Sequence, residues 1–233
     1  MNIVDLGTLP ATTENYVGYL DQMCAELGLD YASYASVNPV TGAVQGYANY
    51  PESWKLHYMT RNLHRIDPTL QKAGLSIAPV DWERFERDQK FRAVFFAAED
   101  FGITSRGLTV PIRGPYGDRG LLSVTRSCGQ AEWNTLKRQI MGDLQIAAVH
   151  LHDSIMRSCG LTGILGYSVL SSREKEVLQW VAAGKLQQEI GDILSISHRT
   201  VEIHLRSARE KLGAFTTIQA VGRAIGMGLI YPQ

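Results

Sequence analysis

Tyr47, Tyr50, Trp54, Tyr58, Asp67 and Trp82 are residue types that can hold a small molecule. An indole N–H only donates, an ionised carboxylate only accepts, and a phenol does both. Trp54 and Tyr58 are four apart, so on a helix they share a face. The set fits a mostly apolar ligand site with a few polar groups. It fits equally an ordinary aromatic core in which Asp67, before Pro68, is a turn acid. A second group lies near the C-terminus. Val201, Leu205, Ala208 and Leu212 recur at helical spacing, which leaves Arg199, Glu202, Ile203, Arg206 and Arg209 on the opposite face. Arg pairs with guanine O6 and N7, Glu accepts from cytosine N4, and Ile touches a thymine methyl. Lys185, Thr200, His204 and Lys211 are placed for phosphates, contacts that position a module without reading sequence.

The elements that carry the second group read as helices over 172–183, 185–194, 198–212 and 217–227. Ser195-Ile196-Ser197 is the tight turn between two of them, with Ser197 as N-cap of the next. This is the spacing of a helix-turn-helix, whose second helix enters a DNA major groove. Spacing alone also admits a small helical bundle with a solvated charged face.

The elements around the first group are mixed. Residues 13–27 have helical spacing and end at Gly28. Residues 31–37 and 43–49 read as a hairpin about Asn38-Pro39-Val40-Thr41-Gly42. A helix over 52–62 is broken by Asp67-Pro68. A short strand is expected at 76–80 and one or two helices over 84–101. Strands at 107–112 and 120–125 flank Gly114-Pro115-Tyr116-Gly117-Asp118, with Leu108, Val110 and Ile112 on one face. A long helix covers 132–156, its stripe running from Trp133 to Ile155. Five strands in hairpin-like order with helices around them predict an α+β fold: an antiparallel sheet sandwiched by helices, followed by an all-α helix-turn-helix domain. Gly160, Gly163 and Gly166 mark 158–167 as a linker, giving domains at 1–157 and 168–233.

A chain of 233 residues with 45% hydrophobic content can bury a core in each domain. The net charge is zero, but 167–233 hold eight Lys/Arg against six Asp/Glu and the rest hold 15 against 17. A mildly basic head on an acidic body fits nucleic acid without demanding it. Cys24, Cys128 and Cys159 are scattered with no metal spacing, which predicts reduced thiols. The opening residues lack a basic-then-apolar run, and no stretch approaches about 18 apolar residues, so a cytoplasmic protein with no membrane contact is expected. Catalysis lacks its signatures: there is no GxSxG elbow, and the six histidines show no HExxH spacing. His150 and His152, two apart on a helix, do not share a face. A phosphorylated receiver would need an early acidic pair and an Asp ending an apolar strand, and neither is present.

Particular strings carry a resemblance to known proteins. Leu170-Ser171-Ser172-Arg173-Glu174-Lys175-Glu176-Val177-Leu178, Gly184-Lys185, Glu189-Ile190, Arg199-Thr200-Val201 and Lys211-Leu212-Gly213 resemble the LuxR/FixJ-type DNA-binding domain over 168–230. Gly191, where that domain usually has Ala, is a departure, and so is Phe215-Thr216-Thr217. Trp54, Tyr58, Asp67, Pro68, Trp82 and Gly107 match, in order, the hallmark positions of the autoinducer-binding domain of LuxR-type quorum-sensing receptors. The resemblance implies an N-acyl-homoserine lactone as regulatory ligand, with no cofactor. It implies Trp54 on the lactone carbonyl and Asp67 on the ligand amide N–H. Tyr50 and Ser123 would bond the acyl carbonyl, and Tyr58 and Trp82 would form apolar walls. It implies a homodimer on a palindromic promoter site in double-stranded DNA, with RNA polymerase as a further partner. A regulator whose pocket takes a non-lactone ligand stays open at this point.

Overall fold

The computed structural model describes residues 13–37, 44–73, 75–114, 118–165 and 170–231. The turn segments expected about Pro39 and Pro115–Gly117 lie outside them, as do residues 166–169 and the side chains of 158–165. The chain divides into two compact units, the main body of the first ending at Ile155.

In the first unit, helix α1 (Thr13–Leu27) leads into strands β1 (Tyr31–Val37) and β2 (Val44–Ala48). Then come helices α2 (Glu52–Thr60) and α3 (Pro68–Ala73), and a two-residue strand β3 (Val80–Asp81). Helix α4 (Gln89–Phe91) widens through π-type turns at Arg92–Phe96 into α5 (Ala97–Glu99). Strands β4 (Gly107–Arg113) and β5 (Arg119–Thr125) precede the long helix α6 (Gln130–Leu165). The five strands form one antiparallel sheet in the order β2-β1-β5-β4-β3.

Alternation along the strands gives this sheet two buried faces. Ala32, Tyr34, Leu108, Val110, Ile112, Leu122 and Val124 pack with α1 and α6, around Leu20, Trp133, Leu144 and Leu151. The intervening residues face the other way, where α2, the turn at Trp82–Arg84 and the α4–α5 run supply Trp54, Trp82, Phe91 and Phe95. The expected sandwich of helices about an antiparallel sheet is thus present.

Three local expectations need correction. The strand expected at 76–80 is only Val80–Asp81. Ser76 Oγ bonds both the N–H and the C=O of Ala78, and Pro79 has no N–H for a ladder. Within 84–101 the helical run starts only at Gln89, where the Asp88 carboxylate accepts the Phe91 N–H at 2.8 Å. Most of the segment expected to be linker is helical, because α6 continues to Leu165. Glycine weakens a helix by about 1 kcal/mol per residue relative to Ala without forbidding it.

The second unit packs α7 (Ser172–Ala182), α8 (Gln187–Leu194), α9 (His198–Lys211) and α10 (Thr217–Gly226) around Leu178, Ile190, Val201, Leu205, Leu212 and Ala224. Three of the four starts carry a Ser or Thr cap, and at the fourth the Glu189 carboxylate accepts the Leu186 N–H. Ser171 and Glu174 form a reciprocal box on α7, Ser197 Oγ accepts the Thr200 N–H, and Thr216 Oγ1 accepts the Gln219 N–H. The departure at Gly191 has a reason. A Cβ there would lie 2.8 Å from the Ile196 carbonyl oxygen, so glycine lets the turn close tightly on α8.

Candidate functional site

Asp67 opens α3 and is 7% exposed. Its Oδ1 accepts the Thr69 N–H at 2.8 Å and the Thr69 hydroxyl at 2.7 Å. Oδ2 accepts the Tyr58 hydroxyl at 2.7 Å. Burial pushes the Asp67 carboxyl above its ordinary range, while the bonds from Thr69 and Tyr58 favour the ionised form and offset part of that cost. The Tyr58 hydroxyl is pushed far up by burial and by the Asp67 charge, so the shared proton stays on the phenol.

Tyr58 also belongs to an aromatic stack on α2. Trp54 lies 5.7 Å from Tyr58, 5.7 Å from His57 and 5.4 Å from Phe101, centroid to centroid. Trp54 is buried, yet among the described residues its indole N–H has no protein acceptor. Tyr50 lies 5.5 Å from Tyr31, and burial raises its hydroxyl pKa against a hydrogen bond from Ser33.

The sheet closes the other side. Ser33, Ser123, Thr109 and Val80 stand opposite one another on β1, β5, β4 and β3. The Trp82 indole N–H donates to Thr109 Oγ1 at 2.8 Å, and Thr109 Oγ1 lies 2.8 Å from Ser123 Oγ. Trp82 also meets Phe95 at 5.0 Å. Lys137 of α6 pairs with Asp81 and, at 3.5 Å, with Glu83, so the residues on both sides of Trp82 are tied down. Gly107 is needed here, since a Cβ would come within 2.4 Å of Trp82 Cε3.

Tyr50, Trp54, Tyr58, Asp67, Trp82 and Ser123 therefore belong to one face of the sheet or its covering helices, whereas Tyr47, grouped with the aromatics from sequence, packs on the other face against Tyr16 and Tyr34. Trp54, Tyr58 and Asp67 are joined directly, and Trp82 and Ser123 are joined through Thr109. Tyr50 joins the same aromatic cluster, 5.5 Å from Tyr31. Sequence reasoning missed Thr69, Thr109 and Ser33. Period-two alternation opposite Leu108 and Val110 was the available signal for Thr109; for Thr69, an acid two residues before a threonine at a helix start was the signal.

In the second unit α9 buries the side expected to face inward. Val201, Leu205, Ala208 and Leu212 are buried, while Arg199, Glu202, Ile203 and Arg206 are exposed. Arg209, expected beside them, is half-buried, as are Thr200 and His204. Lys185 is exposed, 3.5 Å from Glu189 Oε1, an ion pair too weak to hold it from a phosphate. Lys211 requires correction. Its ammonium sits 2.8 Å from both oxygens of the buried Glu174 carboxylate, which also takes the Ser207 hydroxyl at 2.7 Å and the Ser171 N–H at 2.6 Å. A nearly buried carboxylate claims the cation because leaving it unpaired is costly. Glu174 thereby fastens the start of α7 to the end of α9. Among the described residues no group of three His, Cys, Asp or Glu side chains could hold a metal ion.

Comparison with known proteins gives a matching division. Residues 12–155 match the model of the autoinducer binding domain, and residues 168–224 match that of the bacterial regulatory proteins of the luxR family. The chain is 37% identical over 169 residues to the transcriptional activator protein RaiR of Rhizobium etli, covering 72% of this chain and 70% of that one. It is 30% identical over 229 residues to the regulatory protein SdiA of Escherichia coli, covering 94% and 91%. The crystal structure of Escherichia coli SdiA superposes with a TM-score of 0.80 at 28% identity, covering 98% of this chain and 95% of that one. A structure of SdiA in complex with octanoyl-rac-glycerol gives 0.76 at 28% identity, with 97% and 93% covered.

Proposed function

This chain belongs to the LuxR family of bacterial regulatory proteins, as a ligand-responsive regulator with a helix-turn-helix DNA-binding domain, and on that premise we propose that its regulatory ligand is an N-acyl-homoserine lactone. The observation that carries the proposal is the pairing of a buried acceptor with an unsatisfied donor. Asp67 Oδ2 accepts the Tyr58 hydroxyl, and the indole N–H of Trp54 has no acceptor among the described residues. An amide N–H and a lactone carbonyl complete both, and once a ligand covers these groups a polar atom left unmatched is costly. Tyr50 and Ser123 face the acyl carbonyl, and Tyr58 and Trp82 are apolar walls, the Trp82 N–H being already used by Thr109.

The sensor occupies 1–157 and the DNA-binding domain 168–233. Two copies bind a palindromic site of roughly 20 bp, since one recognition helix covers too few bases and paired helices address half-sites about one turn apart. Arg199, Glu202, Ile203 and Arg206 face bases, and Lys185 and Thr200 face phosphates. Bound at a promoter in the cytoplasm, the dimer meets RNA polymerase. No helix among the described residues is long and apolar enough to cross a membrane.

A second reading has one observation behind it: the relative SdiA is known in complex with octanoyl-rac-glycerol, an acyl ester without a lactone or an amide. Titrating the purified protein with lactones of graded acyl length and with octanoyl-rac-glycerol, read by Trp emission, separates the two. Saturable binding of a lactone that Asp67→Asn weakens at least tenfold supports the lactone. Binding of the glycerol ester alone, insensitive to Asp67→Asn, overturns it.

A further inference from the structure

The row of hydroxyls across the sheet has a direction. Trp82 Nε1 can only donate, so Thr109 Oγ1 must accept from it. That leaves Thr109 one hydrogen and one lone pair, and Ser123 Oγ at 2.8 Å can take one or the other. If Ser123 donated to Thr109, the Thr109 hydrogen would need another acceptor. Thr109 is 0% exposed and has no further hydrogen-bond partner among the described residues, so that hydrogen would be buried and unmatched. If Thr109 donates to Ser123, every polar atom of Thr109 and the Trp82 N–H is satisfied. The free hydrogen then belongs to Ser123, which retains 6% exposure.

We propose that Thr109 is a positioning residue that orders this chain from Trp82 through Thr109 to Ser123, so that Ser123 presents a hydrogen-bond donor and selects a carbonyl oxygen on the ligand. The inference rests on the reading that this face of the sheet binds an acyl ligand. Trp82 fixes the direction and Thr109 relays it. Gly107 keeps the Trp82 ring where its N–H reaches Thr109, because a Cβ there would meet that ring at 2.4 Å.

The test compares N-octanoyl-homoserine lactone with its thioamide analogue, whose sulfur is a poorer acceptor than oxygen. The full-length wild-type protein should prefer the oxygen ligand about tenfold. Thr109→Val keeps the shape and removes the hydroxyl. It should cut that preference to about twofold and move the Trp82 indole N–H resonance. Thr109→Ser should restore both. Ser123→Ala should lose the preference, and adding Thr109→Val to it should change nothing more. If Thr109→Val does not fold, Thr109→Cys, a weak donor of similar size, replaces it in the same comparison.

Undiminished preference in Thr109→Val, or effects of the two variants that multiply, overturns the relay while leaving the ligand reading intact. If wild type binds octanoyl-rac-glycerol and no lactone, the same cycle is run on the oxygen ester and its thiono analogue, with the same outcomes. A wild-type protein that binds none of these ligands overturns the ligand reading and the relay together.

Discussion

Trp82 and Gly107 fit each other through a missing atom: a Cβ on Gly107 would stand 2.4 Å from Cε3 and 2.5 Å from Cζ3 of the Trp82 ring. The ring occupies the space a side chain would take at the start of β4, and from there its N–H reaches Thr109. Gly107→Ala must displace the ring or the strand. Overpacking of this kind costs about 1–3 kcal/mol. The expected result is a lowered urea midpoint together with weakened lactone binding. A variant with unchanged midpoint and affinity contradicts this account of Gly107.

Asp67→Asn should weaken lactone binding by about 1.5–3 kcal/mol, because a charged hydrogen bond to the ligand amide becomes neutral or reverses. Tyr58→Phe removes one donor from the carboxylate and should cost less, about 0.5–1.5 kcal/mol. Calorimetric titration of both variants checks the order of the two effects.

The buried Asp67 should also make the sensor pH-dependent. Its carboxyl is raised in the folded protein by burial, so the folded state binds a proton that the unfolded chain has already lost. Its contribution to ligand-free stability is greatest below the ordinary aspartate range and falls as pH rises through the raised value. Lactone affinity should run the other way, increasing over the same window as the acceptor ionises. Asp67→Asn should flatten both profiles, measured by thermal unfolding and by ligand titration from acid to neutral pH.

Glu174 behaves oppositely. Burial alone would raise its carboxyl, but bonds from Lys211, Ser207 and the Ser171 N–H outweigh that and hold it below the ordinary glutamate range. Its contribution is present above the unfolded value and is lost as pH falls through the lowered one. Glu174→Gln should destabilise the second unit at neutral pH by about 1.5–3 kcal/mol and flatten its acid limb. Hydrogen exchange of α7 and α9 amides against pH reads this unit separately from the first.

On DNA, Arg206→Ala should cost about 1–3 kcal/mol at the specific palindrome and relax preference at one base pair per half-site. Lys185→Ala should weaken all sequences alike and reduce the salt slope by about one unit per subunit. Lys211→Ala should act through stability, since its ammonium is held by Glu174. Binding to palindromic and scrambled duplexes across a salt series distinguishes the three. Equal loss on both duplexes for Arg206→Ala would make it a phosphate contact.

The sequence by itself determined whatever depends on local period and local chemistry. The spacing of Val201, Leu205, Ala208 and Leu212 fixed the buried side of α9, and therefore the exposed side. Ser197 announced the cap, and alternation through Leu108, Val110 and Ile112 identified one sheet face. The strings around Trp54, Asp67 and Gly184 showed the family. Contacts between distant residues were decided only in the tertiary structure. Lys211 reads in sequence as one more surface cation, and becomes the partner of Glu174 because packing α7 on α9 buries that carboxylate. Thr109 reads as a strand residue of no note, and becomes the link between Trp82 and Ser123 because β4 lies beside β5 in one particular register. Gly160 and Gly163 read as a break, yet the backbone stays helical through both to Leu165. Composition states the cost of a helix at each residue, and the length of a helix is set by the sum over the whole segment and what it packs against.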